Sequence, residues 1–303
     1  MIALAAGLSY VDLQFQGVPR VIATVVAHGA GGAALIDPGP SSTLPVLRSA
    51  LTRAGLEIRD LTAILLTHIH LDHAGATGTL VRENPRLRVY VHEHGAPHMA
   101  DPSRLLASAE RLYGADMDRL WGEFLPVPAA ALKALHGEER IEVAGRRLDV
   151  AYTPGHASHH VSYLAGDAGV AFVGDTAGIR LTTGGYVLPP TPPPDIDLDA
   201  WSVSLRRIEQ WSPDTLFLTH FGPSSPVGAH IREFAEHLEL TADLVRRSLA
   251  RDETDAAREE RFTEEIRREL RRRSTEADAH AYEVAGRFDL SWRGLARYWR
   301  KRA

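Results

Sequence analysis

The chain contains no cysteine. Disulfides, thiolate metal sites and cysteine nucleophiles are thereby excluded, and any metal must be held by nitrogen and oxygen donors. Long apolar runs are absent too: nothing approaches the roughly 20 residues of a membrane-spanning helix, so no membrane partner is expected. The opening Ile2-Ala3-Leu4-Ala5-Ala6 lacks a basic flank and Asp12 brings charge early, which argues against a secretory leader and for a cytoplasmic location. Positive charge is not in excess. The net charge is -5, the wrong sign for a protein that neutralises phosphates, so a nucleic-acid partner is not expected. What is present, in 303 residues that are 44% hydrophobic and 24% charged, is an ordinary folded chain, long enough for one large domain with an extension or for two domains.

Short apolar runs alternate with helical patterns. Val21–Val26 and Ala33–Ile36 read as neighbouring strands, with Asp37-Pro38-Gly39 as the turn after the second and Leu44–Leu56 as a helix. Ala63–Thr67, Arg88–His92, Leu148–Tyr152, Val161–Leu164, Val170–Val173 and Thr215–Leu218 read as further strands, giving an α/β fold with helix-covered sheets. Two segments depart from this rhythm. Asp101-Pro102 opens a helical pattern carried by Leu105, Ala109, Leu112, Leu120 and Phe124, read as an insertion at about 97–137. From residue 227 to 303 the apolar faces Ile231, Phe234, Ala235, Leu238, Val245, Leu249 and Phe262, Ile266, Leu270 predict a helical extension to a catalytic domain at 1–226. The Arg267-Arg268 and Arg271-Arg272-Arg273 cluster, interleaved with Glu264, Glu265 and Glu269, reads as a solvated helix face.

The densest chemistry is Thr67-His68-Ile69-His70-Leu71-Asp72-His73, which places four metal-binding side chains behind a buried-strand pattern. In an extended segment alternate side chains share a side, so His68 and His70 can grip one cation. Asp72 and His73 fall where the chain turns into a helix expected at Ala74–Arg82, aimed at a second position. His156, Asp175 and His220 each follow an apolar run and would lie at the same sheet edge, where ligands of α/β proteins bind. His156 would complete the first site and His220 the second, with Asp175 between. Leu66-Thr67-His68 is echoed by Leu218-Thr219-His220, a hint of two related halves. The donor set suits two divalent ions, zinc, iron or manganese rather than calcium or magnesium, and does not choose among the three; zinc is the ion expected first. Two ions about 3.5–4 Å apart can share an activated hydroxide.

These motifs, with Pro154-Gly155-His156, Gly174-Asp175 and Thr219-His220, resemble in order and spacing those of the metallo-β-lactamase-fold hydrolase superfamily. The resemblance covers roughly residues 20–225 by strand pattern. It implies an αββα sandwich of two mixed sheets with the site at one edge, and gives Asp37 the role of the turn residue supporting the metal loop. Gly155-His156-Ala157-Ser158-His159-His160 is similar to the corresponding run of glyoxalase II, except that His159 stands where those enzymes have glycine. The substrate is therefore left unassigned.

The function expected is hydrolysis of a small thioester, ester or lactone. A metal-bridging hydroxide would attack the carbonyl carbon, one metal would polarise the carbonyl oxygen, and Asp72 would orient the nucleophile or relay its proton. Three readings compete with it: phosphodiester hydrolysis including RNA processing, a mononuclear-iron sulfur dioxygenase, and a metal-stabilised scaffold without activity. His160 is expected beside the metal ligands rather than among them. Tyr113, Met117 and Trp121 are expected as packing or as a substrate wall, and Pro189–Pro194 as a stiff rim. His92, His94, His98 and His136 belong to no ligand pattern. The partner expected is a small-molecule substrate, and the tail's apolar faces could cap the cleft or pair two subunits in a C2 dimer.

Overall fold

Strands whose alternate residues face two different cores build two stacked sheets. The computed structural model describes residues 1–302; Ala303, the last residue of the expected extension, lies outside the described residues. The first sheet runs in chain order through β1 (Ile2–Ala5), β2 (Leu8–Asp12), β3 (Ala23–Gly29), β4 (Gly32–Ile36), β5 (Leu61–Leu65), β6 (Arg88–His92) and β7 (Leu132–Leu135). It is antiparallel up to β4 and parallel from β4 to β7. The second contains β8 (Arg140–Val143), β9 (Arg146–Tyr152), β10 (Val161–Ala165), β11 (Val170–Gly174), β12 (Thr215–Leu218) and β13 (Gly222–Ser224), in reverse spatial order, with β11 and β12 its parallel pair.

Alternate residues of these strands enter two cores. Val25, Ala34 and Leu65 of the first sheet meet Val161, Tyr163, Phe172 and Phe217 of the second in one apolar cluster between the sheets. Their chain neighbours Val26, Leu35, Ile64, Val173 and Leu218 face the other way, into the cluster formed with the helices. A strand buried on both faces reads as a continuous apolar run, which is why β3, β4, β5, β10, β11 and β12 were visible in the sequence. The result is the expected αββα sandwich of two mixed sheets.

The helices are α1 (Leu44–Arg53), α2 (Leu71–Ala74), α3 (Thr77–Glu83), α4 (Ala96–Ala100), α5 (Ser103–Tyr113), α6 (Met117–Trp121), α7 (Leu198–Gln210), α8 (Val227–Leu249), α9 (Asp255–Arg273), α10 (Glu276–Gly286) and α11 (Phe288–Arg300). Two expectations need correction. The span 97–137, read as helical throughout, ends in β7, which pairs in parallel with β6. Only Leu135 of that strand is buried, so its sequence carries no alternation, and the open backbone edge of β6 supplies the reason to extend. The helix expected at Ala74–Arg82 is two helices, α2 and α3, because the Ala76 amide leaves the helical ladder and donates to the Gly39 carbonyl at 2.8 Å. Helices α8 to α11 bury Phe234, Phe262, Leu270, Tyr282 and Trp292 in the same cluster as α7 and the outer sheet faces. Among the described residues no helix is long and apolar enough to cross a membrane.

Hydrogen bonds lock the sheets together where the first sheet's parallel strands end. The buried Tyr163 hydroxyl of β10 donates to the Leu66 carbonyl at 2.7 Å, and the Val161 amide donates to the Thr67 carbonyl at 2.8 Å. Tyr163→Phe removes a buried donor while keeping the ring, so it is expected to lower unfolding free energy by about 1–2 kcal/mol. Urea denaturation checks this, with an unchanged slope showing that only stability moved.

Candidate metal centre

Strand ends deliver the polar residues to one edge. Asp37 follows β4, Thr67 and His68 follow β5, Asp175 follows β11, and Thr219 and His220 follow β12. His156 lies in the loop between β9 and β10, and Asp72 and His73 sit on the single turn of α2. Asp37 is held at φ 51, a left-handed conformation that aspartate tolerates better than most residues and that turns its carboxylate inward. Gly174, at φ 47, leaves room that no other residue would: a Cβ there would come within 2.5 Å of Thr67 Oγ1 and 2.6 Å of His160 Nε2.

The seven residues singled out in the sequence converge. Donor atoms of His68, His70 and His156 lie within 4.8 Å of one another, as do those of Asp72, His73 and His220, and those of His68, His73 and Asp175. His70 Nδ1 is 2.9 Å from His156 Nε2. His220 Nε2 is 3.3 Å from Asp72 Oδ2, and His73 Nε2 is 3.7 Å from that oxygen. Asp175 lies between the two groups, with Oδ2 at 3.4 Å from His156 Nε2 and Oδ1 at 3.2 Å from His73 Nε2 and 3.5 Å from His220 Nε2.

Three of the rings are tied to protein on their other side. His73 Nδ1 donates to Asp37 at 2.9 Å, His156 Nδ1 to the Pro190 carbonyl at 2.9 Å, and His220 Nδ1 to the Val21 carbonyl at 2.6 Å. Such bonds fix the tautomer and aim the free Nε2 lone pair at the common centre. His68 Nε2, His73 Nε2 and Asp175 Oδ1 are buried there without a hydrogen-bond partner among the described residues. Buried polar atoms left unmatched are costly, so three facing one point fit a cation. With nitrogen and carboxylate donors only, the set suits zinc, iron or manganese.

Electrostatics point the same way. Burial pushes His68 well below the usual histidine range, and burial followed by His156 brings His70 down to about 4, so these rings are neutral and their nitrogens free to coordinate. Burial also lowers His156. Burial alone would raise the two carboxyls, but neighbouring imidazoles outweigh it: His73 and His220 hold Asp72 at about 2, and His73, His156 and His220 hold Asp175 well below the carboxylate range. Burial opposes charge on His73 and His220 as well, yet the carboxylates raise both, His73 through Asp72, Asp175 and Asp37. The field that favours a positive charge on these rings is the field a metal cation would meet.

The remaining site candidates fall around this centre. His160 turns both nitrogens to protein: Nε2 accepts from the Asp175 amide at 3.2 Å and Nδ1 faces the Thr153 and Thr176 hydroxyls at 3.0 and 3.1 Å. Trp121 stacks on Phe15 with centroids 5.4 Å apart and meets Tyr113 edge-on at 5.0 Å, and both Tyr113 and Trp121 line a cavity of about 320 Å³ at the metal centre. They are packing and wall at once. Met117 packs against the core but does not line the cavity. The proline run contributes wall through Pro190 and Pro192–Pro194. Of the histidines outside the ligand pattern, His94 and His98 line the cavity and His92 stacks instead on Tyr152 at 4.3 Å. Sequence reasoning missed Phe15, Val21, Ile22 and the stretch from Val284 to Leu290, whose contributions to the cavity are set by tertiary folding and carry no local motif.

Comparison with known proteins agrees with this geometry. The family model described as the metallo-beta-lactamase superfamily matches residues 17–220. A metallo-beta-lactamase fold-containing protein of Sulfurisphaera tokodaii is 28% identical over 235 residues, 75% of this chain and 84% of that protein. Its crystal structure superposes with a TM-score of 0.69 at 25% identity, covering 95% of this chain and 98% of that one. A hydroxyacylglutathione hydrolase of a Synechococcus strain is 34% identical over 144 residues, 48% of this chain but only 43% of the hydrolase's own length. A protein crystallised in a di-iron-bound form shares 26% identity and a TM-score of 0.52 over 70% of this chain and 93% of that one. With the match spanning most of the sandwich and ending on His220, the chain belongs to the metallo-β-lactamase superfamily of metal-dependent hydrolases.

Proposed function

We propose that the protein is a dinuclear metal-dependent hydrolase of a small thioester, ester or lactone. The observation that carries this reading is the pair of three-residue donor groups, with Asp175 between them and three orphaned donor atoms facing the gap. His68, His70 and His156 would hold one divalent cation; Asp72, His73 and His220 would hold the other; Asp175 would reach both. Zinc is the first candidate, with iron or manganese compatible with the same donors. Bound there, a pair of divalent cations supplies a water activated near neutral pH and a Lewis acid that polarises a carbonyl.

The chain's own residues supply the rest. Asp72 is ionised and only partly covered, so its carboxylate can accept a proton or orient the attacking water at the cavity floor. Asp37 accepts the Nδ1 proton of His73 and so aims that ring's Nε2 at the centre, where a bound cation would take the place of a second proton. The apolar walls of the cavity exclude bulk water and strengthen every charge interaction at the reacting carbonyl.

Protein purified without added metal is expected to carry two equivalents of transition metal per chain by elemental analysis. That same sample should hydrolyse thioester or lactone substrates in preference to bis(p-nitrophenyl) phosphate; a single iron with persulfide-dependent oxygen uptake would replace this reading by a dioxygenase. His70→Ala and Asp72→Ala are expected to lower kcat by at least about a thousandfold with unchanged circular dichroism, since each removes a donor from the reacting centre. Asp37→Asn, which sets an amide donor against the donors of Thr67, Thr219 and His73, is expected to weaken metal affinity by about 10- to 100-fold. Competition with a chromogenic chelator measures it.

A further inference from the structure

The C-terminal helices reach the catalytic edge and form part of its chamber. Val284 and Ala285 of α10 and Leu290 of α11 line the same cavity as Leu105, Leu112 and Tyr113 of α5 and as His70, Asp72 and Asp175 of the donor cluster. This roof is tied down rather than draped. The Tyr282 hydroxyl receives the Leu181 amide at 3.2 Å and donates to the Tyr186 carbonyl at 2.5 Å; Thr191 donates to the Ser291 carbonyl at 3.2 Å; Arg20 pairs with Asp278 at 2.8 Å. Where α10 meets α11, Arg287 adopts φ 36 and carries its guanidinium to 5.7 Å from the centre of the Tyr113 ring, joining roof to wall.

The charges around this space are few and mostly spent. Arg287 is held by both oxygens of Asp289, at 3.0 and 2.7 Å. Arg104, exposed at the rim, has no ion-pair partner among the described residues and is the one cation left to meet an anion. Asp195, also lining the cavity, accepts a hydrogen bond from Ser158 at 2.7 Å. His94, His98 and His159 also line the cavity. A glutathione thioester would bring two carboxylates to this single free arginine. Apart from Ser108 and Ser158, apolar side chains and proline rings make up most of the rest of the wall.

We infer that the substrate carries an extended apolar acyl group, and that α10 and α11 form the roof of its binding chamber. The inference rests on the hydrolase reading for the reaction, while the chamber itself is a property of the fold. Burial of each methylene in such a space is worth roughly a fourfold gain in binding. An acyl carbonyl held over His70, Asp72 and Asp175 places its chain between α5 and the roof, with the leaving group towards the rim.

A series of acetyl, butyryl, hexanoyl and octanoyl thioesters of a neutral thiol tests the inference on the metal-loaded protein. The expected result is a rise in kcat/KM of about fourfold per methylene until the chamber is full, with glutathione thioesters of the same acyl groups slower. In parallel, calorimetry of straight-chain alcohols on the metal-stripped protein should show Kd falling with chain length. Ala285→Trp narrows the chamber and should move both optima to shorter chains; Leu105→Asn, on the facing helix, should flatten the slope and serves if the first variant fails to fold. Binding that follows chain length without hydrolysis of any substrate would keep the chamber and sink the hydrolase reading. Hydrolysis with a flat or falling chain-length profile, or with glutathione thioesters preferred, would overturn the chamber and leave the hydrolase reading standing.

Discussion

The carboxylate of Asp37 is the joint on which the site depends. It accepts the Thr67 amide at 2.8 Å, the Thr67 hydroxyl at 2.7 Å, the Thr219 hydroxyl at 2.9 Å and the His73 ring at 2.9 Å. Those donors come from the end of β5 in one sheet, the end of β12 in the other, and the turn of α2. A carboxylate buried this deeply would be costly alone; four donors make burial tolerable and convert it into a rigid link between the sheets. The left-handed backbone of Asp37 is the local cost of aiming it there. His73 is fixed to this group directly, and His68 and His220 each follow a threonine that it binds.

The linkage also gives the repeated tripeptide a physical meaning. Leu66-Thr67-His68 and Leu218-Thr219-His220 each end a buried strand, each gives a threonine hydroxyl to the same Asp37 oxygen, and each sends its histidine to the donor cluster. The two strands occupy corresponding places, one in each sheet, beside a parallel neighbour whose end supplies an aspartate: Asp37 after β4 and Asp175 after β11. One of these aspartates faces the protein scaffold and the other the donor cluster. Similar strand ends thus serve different parts of the same centre, which is more than three shared letters could have established.

Legibility from sequence followed the range of the interactions. His68, Asp175 and His220 were readable because each comes just after a strand buried on both faces, and such strands announce themselves as apolar runs: Ala63 to Leu66 before His68, Val170 to Val173 before Asp175, Leu216 to Leu218 before His220. Edge strands were not readable. In β1 no residue is fully buried, and in β7 only Leu135 is, so neither shows a core-facing pattern. The carbonyls of Val21 and Pro190 orient His220 and His156, yet a backbone carbonyl has no residue signature. The apolar faces of the tail were visible as helix faces, but what they would cover was not, because Val284 and Leu290 approach Tyr113 only after more than a hundred intervening residues have folded.

That long-range closure separates the chemistry of this protein from its selectivity. The donor cluster is built by loops at strand ends, held by short bonds to Asp37, Val21 and Pro190, and none of these groups comes from the C-terminal helices. The chamber, by contrast, borrows its roof from α10 and α11, which are anchored through Tyr282, Thr191 and Asp278 rather than through any group that faces the metal positions. Changes in Val284, Ala285 or Leu290 can therefore reshape the space above the reacting centre without disturbing the bonds that aim His73, His156 and His220. In a fold where many chemistries share one donor set, substrate choice is carried by what is packed over it, and in this chain the helical tail supplies part of that covering, with α5 and the proline run.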